Sequence, residues 1–221
     1  MSVSVVIGTR PEIIKMAPVY FALKKARLGP RLVHSGQHYD YQMSQVFFDE
    51  LGLPEPDAFL KVGSGTAGHQ TGEAIIKLEH EFGGSNPDCV LVEGDTNTVL
   101  AGAVAAMKQG IKVGHVEAGL RSYDLRMPEE LNRRLTDHAS DYLFAPTDDS
   151  VRILRNEEVW GKVFKTGNTV IDATLRYLPK ALRSSDVMSR IGLDRYALAT
   201  LHRAENVDDP ETLRHMVKVL A

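Results

Sequence analysis

The 221-residue sequence contains a single cysteine, Cys89, so no disulfide bond can form within the chain. Long apolar segments are also missing, because the longest run of apolar residues and glycine, residues 99–107, is far shorter than a membrane span. The N-terminus lacks the layout of a signal peptide, and the formal net charge is only −3. We therefore expect a reduced, cytoplasmic protein that binds neither nucleic acid nor membranes.

The remaining composition is that of an ordinary globular chain. Apolar residues make up 43% and charged residues 25% of the sequence. The histidine pairs His34/His38 and His115/His138 lack cysteine or carboxylate partners at metal-ligand spacing. We therefore expect no bound metal ion.

Strand and helix patterns alternate along most of the chain. Apolar runs rich in β-branched residues predict strands at 3–7, 31–36, 59–62, 88–93, 112–117, 142–146 and 162–166. Helices are predicted at 10–26, 41–51, 66–82, 96–108, 128–139, 148–157 and 169–177. This alternation predicts an α/β fold with a doubly wound, Rossmann-like parallel sheet of about seven strands.

The pattern changes near Pro179. Residues 1–178 are predicted to form the Rossmann-like half, and the charged residues 179–195 a linker. Residues 196–201 predict one strand and residues 209–221 one amphipathic helix, which cannot bury a core by themselves. They either add to the first sheet or begin a second domain, and we predict that residues 196–221 are the start of a truncated second domain.

The first strand, turn and helix form a candidate diphosphate site. Gly8 ends the apolar strand, Pro11 suits the first turn of a helix, and Arg10 and Lys15 add two cations near its N-terminus. Unpaired backbone N–H groups at that end attract anions. The alternative is a helix start that carries two solvated cations.

Two strands that are consecutive in the sequence are followed by carboxylates. Asp95 and Glu117 lie at the carboxyl ends of the predicted strands 88–93 and 112–117, and parallel sheets place their active sites at that edge. If the strands are neighbours, the two acids face one crevice, and their repulsion pushes one carboxyl towards its neutral form. The alternative is that each acid caps a helix or pairs with an arginine.

Other candidates carry weaker signals. Glu129 opens a helix, where a carboxylate is favourable in any case, and His202 follows the apolar segment of the tail. Residues 63–68 fit G-x-G-x-x-G, but they follow the weakest strand and no acid ends a strand about 20 residues later. A phosphate-binding or mobile glycine loop is favoured there over a nicotinamide site.

Several ordered motifs together resemble one enzyme family. They are G-T-R-P-E-I-I-K-M-A-P, G-Q-H-Y, Q-T-G, G-D-T-N-T, H-V-E-A-G-L-R-S, M-P-E-E-L-N-R, T-G-N-T-V-I-D-A and L-H-R-A-E-N. This set is similar to the non-hydrolysing UDP-N-acetylglucosamine 2-epimerases, which have two Rossmann-like halves of the glycosyltransferase-B type. The resemblance spans nearly the whole chain.

The resemblance implies a UDP-sugar substrate, no cofactor, and a reaction that expels UDP from C1 and removes the C2 proton. It implies that Arg10 and Lys15 lie near the phosphates, that Asp95, Glu117 and Glu129 form the acid/base group, and that His202 closes the site from the second domain. Gln37, His38 and Gln42 are implied as a candidate regulatory nucleotide site. Relatives of this kind are usually dimers through the first domain, so a homodimer is expected.

The chain departs from the family in its length. Members carry a complete second domain, so we expect an isomerase half that is inactive unless a second domain or complementary chain is supplied. The alternatives are a hydrolysing epimerase or glycosyltransferase, and a non-catalytic half that binds a UDP-sugar.

Overall fold

The computed structural model describes residues 1–37, 41–193, 195–201 and 204–220. The described residues form two compact units, Met1–Pro179 and Lys180–Ala221. The strands of the first unit are β1 (Val3–Ile7), β2 (Pro30–His34), β3 (Ala58–Phe59), β4 (Cys89–Glu93), β5 (Lys112–Val116), β6 (Tyr142–Ala145) and β7 (Lys162–Lys165). Its helices are α1 (Arg10–Lys25), α2 (Tyr41–Leu51), α3 (Ala67–Ser85), α4 (Asn97–Lys108), α5 (Pro128–Ala139), α6 (Asp148–Asn156) and the start of α7 (Thr169–Ser184).

The strands form one parallel sheet in the order β3-β2-β1-β4-β5-β6-β7. The chain builds outward from β1 in one direction and then restarts at β4 in the other, so the order reverses between these two strands. Helices cover both faces, since parallel strands need a crossover between them. The predicted α/β, Rossmann-like fold with seven strands is confirmed.

Each face of the sheet packs on its own apolar core. Alternating residues of β1 and β4 point to opposite faces, as the period of a strand requires. On one face the core joins β1 and β4 to α1 and α2, through residues that include Val5, Ile7, Ile13, Met16, Phe48 and Leu91. On the other face it joins them to α3 and α4, through residues that include Val6, Leu78, Phe82, Val92 and Val99. The apolar strands are therefore buried on both sides.

Helix α4 lies unusually close to the sheet because its inner face consists of small residues. Ala101, Gly102, Ala103, Ala105 and Ala106 are all buried. A Cβ atom placed on Gly102 would lie 2.9 Å from Cγ1 of Val92 on β4. This spacing sets the depth of α4, and therefore the position of the turn that joins it to β4.

The second unit is helical where it is described. It contains the end of α7, α8 (Val187–Ile191), α9 (Ala204–Val207) and α10 (Pro210–Leu220). The predicted linker, residues 179–195, is partly helical, since K-A-L-R after Pro179 is a strongly helix-forming sequence.

The predicted strand at 196–201 is wrong, because these residues form no strand. Tyr196 is 62% and Leu198 84% exposed, and an isolated apolar segment gains little as a strand without a neighbour to pair with. Whether this unit begins a second domain stays a prediction. Within the described ranges, no helix is both long and apolar enough to cross a bilayer.

Replacement of Gly102 by alanine should destabilise the first unit. The close contact with Val92 costs about 1–3 kcal/mol, more than the gain of roughly 1 kcal/mol that alanine brings to a helix interior. The matched control is Gly72→Ala on α3, where nothing lies within 4 Å of the added methyl group, so the free energy of unfolding should rise. Urea denaturation of both variants measures the difference, and equal stabilities would contradict the close packing of α4.

Candidate active site

The carboxyl ends of β1, β4 and β5 meet at the edge of the sheet where the strand order reverses. A small cleft at this edge is lined by Lys15, Gly94, Asp95, Glu117, Leu120 and Arg133. Lys15 comes from α1, Asp95 from the turn after β4, and Glu117 from the position directly after β5. The structure thus brings three of the site residues predicted from sequence to one cleft.

Lys15 contacts two carboxylates, of which Glu117 lines the cleft. Its Nζ lies 2.8 Å from Oε1 of Glu93 and donates a hydrogen bond to Oε2 of Glu117. Glu93 is the last residue of β4, and its side chain is 1% exposed, compared with 22% for Lys15. Asn168, which follows β7, donates from Nδ2 to Oε1 of Glu117 at 3.2 Å. The charge that was predicted to face a diphosphate is therefore balanced by two acids of the chain itself.

The backbone of Glu117 adopts a left-handed conformation, with φ of 68°. Residues other than glycine populate this region sparsely, at a cost of about 1–3 kcal/mol, and such residues cluster at functional sites. The contacts with Lys15 and Asn168 hold the side chain on the cleft side of the turn.

The two acids that contact Lys15 have opposite pKa shifts. Burial, together with the neighbouring Glu117, raises the pKa of Glu93 well above its ordinary value despite the attraction of Lys15. Burial also raises the pKa of Glu117, but hydrogen bonds with Glu93, Lys15 and Asn168 outweigh it, and the net pKa lies below the ordinary value. For Lys15, burial lowers the pKa, but the two carboxylates outweigh burial and raise it to about 12. The shifts therefore favour the protonated form of Glu93 and the ionised form of Glu117.

The pair of interacting acids is Glu93 and Glu117, and not the expected pair Asp95 and Glu117, because the charge of Asp95 is balanced by Arg133. The Asp95 carboxylate accepts a hydrogen bond from Nη2 of Arg133 on α5, and its main-chain carbonyl accepts one from Nδ2 of Asn132 at 2.9 Å. Helix α4 is capped by Thr96, not Asp95. The predicted repulsion between neighbouring acids therefore acts between Glu93 and Glu117.

The adjacent acids Glu129 and Glu130 at the start of α5 have different environments. Glu129 is exposed and is not among the residues that line the cleft. Glu130 is buried, accepts from the backbone N–H of Ser122 at 2.8 Å, and pairs with Arg133 and Arg134. Burial raises the pKa of Glu130, but these partners outweigh it and lower the pKa. Glu130 therefore anchors the first turn of α5 to the preceding loop.

The turn after β1 differs from the predicted diphosphate seat. Arg10 is exposed at the N-terminus of α1, but the backbone N–H of Gly8 donates to Oε2 of Glu12 at 2.5 Å. Oε1 of Glu12 accepts from the hydroxyls of Thr9 at 2.9 Å and Thr96 at 2.8 Å. Glu12 thus joins the turns after β1 and β4. Its carboxylate accepts from the backbone N–H of Gly8, a group in the turn where a phosphate was expected.

Burial raises the pKa of Glu12 to about 7, even though the hydrogen bonds from Thr96, Thr9 and Gly8 favour its ionised form. No cation lies among these partners. The G-T-R-P-E motif contains this residue, but its sequence position alone resembles an ordinary acid in the first turn of a helix.

Gln37 lies in a buried network of polar side chains. Its Oε1 accepts from Thr98 at 2.6 Å, and its carbonyl accepts from Nε2 of Gln70 at 3.3 Å. Gln70 Nε2 also donates to the carbonyl of Gly63 at 2.9 Å, which holds one end of the glycine-rich loop. His38 and His202 lie outside the described residues, as does the side chain of Gln42.

A buried charge cluster supports the turns that carry Asp95 and Glu117. Asp137 on α5 contacts Nδ1 of His115 at 2.7 Å and Nη1 of Arg121 at 2.8 Å, and it accepts from the backbone N–H of Gly119 at 3.2 Å. His115 Nε2 lies 2.8 Å from the carbonyl of Gly94. The Asp137 carboxylate therefore holds residues on both sides of Glu117, and through His115 it also supports Gly94, which precedes Asp95.

Within the described ranges, no group of three or more acids, histidines or cysteines could hold a metal ion.

This architecture defines an α/β protein of the Rossmann-like class, in which ligands bind outside the carboxyl ends of the strands. A family profile described as UDP-N-acetylglucosamine 2-epimerase matches residues 22–221. The chain belongs to this family.

Individual relatives agree with the assignment. A UDP-N-acetylglucosamine 2-epimerase of Methanocaldococcus jannaschii is 49% identical over 99% of this chain and 61% of its own length. A crystal structure of the M. jannaschii UDP-GlcNAc 2-epimerase in complex with UDP-GlcNAc and UDP superposes with a TM-score of 0.91, and covers 100% of this chain and 62% of that chain. A UDP-2,3-diacetamido-2,3-dideoxy-D-glucuronate 2-epimerase of Pseudomonas aeruginosa is 42% identical over 100% of this chain and 62% of its length. The chain therefore spans about three fifths of these relatives.

Replacement of Glu12 by glutamine should remove a component of the pH dependence of stability. The folded state holds this proton more tightly than the unfolded state, so the stabilisation is complete below pH 4.5 and is lost as the pH rises through 7. The loss amounts to roughly 3 kcal/mol, since one pKa unit corresponds to about 1.4 kcal/mol.

Urea denaturation between pH 4 and 8 measures this effect. The wild type and a Glu79→Gln control, altered at an exposed position of α3, should lose stability with a steeper slope than Glu12→Gln. Parallel slopes in all three proteins would contradict the environment assigned to Glu12.

Proposed function

We propose that this chain is the catalytic half of an enzyme that epimerises UDP-N-acetylglucosamine at C2 to UDP-N-acetylmannosamine. The observation that supports this proposal most directly is the ionised Glu117 beside the Asp95–Arg133 pair in one cleft at the reversal of strand order. Membership of the epimerase family and the ligands of the M. jannaschii structure support the substrate class. We further propose that this activity is cytoplasmic.

The chemistry explains why such a cleft needs both acids and cations. The C2 hydrogen is not next to a carbonyl group, so it becomes removable as the C1–O bond to UDP breaks and positive charge develops on the ring. A carboxylate then takes the C2 proton, a C1–C2 double bond forms, and UDP leaves with the electron pair of the C1–O bond. UDP adds back at C1 as a proton is delivered to the other face of C2. No oxidant or reductant is consumed.

Residue roles follow from charge and position. Glu117 is the proposed base, since Lys15 and Asn168 favour its ionised form. Asp95, Glu129 and His202 complete the proposed acid/base group. Arg10 is proposed for the diphosphate, because it is exposed at the N-terminus of α1. Lys15 reaches the leaving group in this proposal only by giving up part of its contact with the two carboxylates.

We also propose that turnover needs a second half that these 221 residues do not supply. One face of α7 in the first unit supports this, because Ile171, Leu175 and Leu178 lie one turn apart and are exposed. About two fifths of the length of these relatives lies outside the part that this chain matches, and a second Rossmann-like half of the glycosyltransferase-B type would cover such a surface.

Replacement of Glu117 by glutamine should strongly reduce turnover and leave UDP binding within a few-fold of the wild type. Loss of a positioned base costs about 10²–10⁴-fold in rate. The assay measures deuterium incorporation at C2 in heavy water, for the chain alone and with a supplied second half. Asp95→Asn should behave alike, and Glu79→Gln should match the wild type.

Each other outcome has a definite meaning. Turnover by the chain alone would contradict the need for a second half, and a fully active Glu117→Gln protein would contradict the role of that residue. Release of free sugar, or its transfer to an acceptor, would indicate a hydrolysing epimerase or a glycosyltransferase. Binding of UDP-sugar without turnover by the completed protein would indicate a non-catalytic half.

The proposed homodimer has a candidate surface on the first unit. Helices α3, α4 and α5 expose Ile76, Met107, Leu131 and Leu135, and the last two lie one turn apart on the same face of α5. We expect Leu135→Asp to shift a dimer to a monomer in sedimentation velocity, because it places a charge in an apolar contact. Val46→Asp, at an exposed position of α2 across the sheet, is the matched control and should stay dimeric. A dimer that survives Leu135→Asp would exclude this surface.

A further inference from the structure

Glu93 has no role in the proposed reaction, although it is the more deeply buried of the two acids that contact Lys15. Its side chain is 1% exposed, and it ends a strand whose other side chains are all buried. Strand β4 pairs with β5 so that Glu93 lies opposite Val116, the residue before Glu117. The two acids are therefore neighbours because of the register of the sheet.

The charges around Glu93 do not balance if every group is ionised. Two carboxylates contact one ammonium group, which leaves a net negative charge where the side chains are 1%, 12% and 22% exposed. A buried charge without compensation is costly, so a site of this kind takes up a proton. Glu93 is the more buried acid, and Glu117 has the additional donor Asn168, so the proton belongs on Glu93.

We propose that Glu93 is a positioning residue that holds this proton, and that its protonation frees Lys15 to contact the diphosphate of a nucleotide sugar. This inference rests on the proposed function, since it concerns the same cleft. While Glu93 is neutral, Lys15 has one carboxylate partner and an anion can approach. Once Glu93 is ionised, Lys15 is held by two acids, and the added negative charge repels the phosphates.

No other ionisable group that contacts these elements accounts for the same effect. Among the described residues, Lys15 on α1 and Glu117 beyond β5 are the charged groups that act on Glu93. On α1, Glu12 is occupied by Gly8, Thr9 and Thr96. After β4, the Asp95 carboxylate is paired with Arg133. The raised pKa of Glu93 agrees with the charge argument.

The proposal predicts that the chain takes up a proton when it binds UDP at a pH where Glu93 is ionised. One linked proton weakens binding by up to about tenfold for each pH unit above the Glu93 transition. Titration calorimetry of UDP into the chain, in two buffers of different ionisation enthalpy between pH 6 and 9, measures both quantities. Glu93→Gln should lose the uptake and bind UDP with a flatter pH dependence.

Two further variants make the comparison specific. Glu93→Asp keeps a carboxyl group and should retain the uptake, whereas a purely structural role would leave both substitutions alike. Glu79→Gln, exposed on α3, should match the wild type. The titration of UDP itself is common to all four proteins and cancels in their differences. Equal uptake by wild type and Glu93→Gln would overturn the proposal.

An infrared titration tests the proton on Glu93 without any ligand. The wild type should show a protonated-carboxyl band that falls as the pH rises, and Glu93→Gln should lack one component of it. Glu12→Gln should keep that component, which separates Glu93 from Glu12, a second buried acid whose pKa is raised. A band unchanged in Glu93→Gln would overturn the inference even if no variant binds UDP, whereas loss of the component without UDP binding would support the inference and count against the proposed function.

Discussion

Lys15 joins three elements of the first unit, because its ammonium contacts Glu93 at the end of β4 and Glu117 beyond β5 while its backbone belongs to α1. The parallel register of β4 and β5 brings the two acids side by side, and the crossover from β1 returns α1 above them. Without the ammonium, two carboxylates would face each other in a largely buried site. The arrangement of Glu93 and Glu117 side by side depends on this compensation.

A second set of buried charges supports the turn that carries Glu117. Asp137 contacts His115 on β5, Arg121 and the backbone N–H of Gly119, so the chain before and after Glu117 is held by the same carboxylate. Helix α5 adds Arg133, which contacts the Asp95 carboxylate. Each of these charges is paired where it is buried, so loss of one partner would leave another uncompensated. Asp137 thus positions the turn that carries Glu117 without lining the cleft, whereas Arg133 contacts Asp95 from within the lining.

Local patterns predicted the elements well where burial and periodicity agreed. Helices α2 and α5 have the predicted bounds. The start of α5, for example, is marked by Pro128 and by two acids in its first turn. The strand expected at 196–201 is absent, because an apolar run becomes a strand only when a neighbour supplies hydrogen bonds. Glu129 and Glu130 look equivalent in sequence, yet only the second is buried, since the turn of a helix separates their directions by about 100°.

The sequence by itself determined the α/β class, the number of strands and the edge of the sheet that carries Lys15, Asp95 and Glu117. These follow from the period of apolar residues and from the rule that parallel strands end on one side. Only the tertiary structure decided that Lys15 contacts Glu93, that Asp95 belongs to Arg133, and that Glu12 takes the N–H group of Gly8. Such pairings depend on the register and depth at which α1, α4 and α5 pack on the sheet, and residue spacing along the chain contains no measure of either.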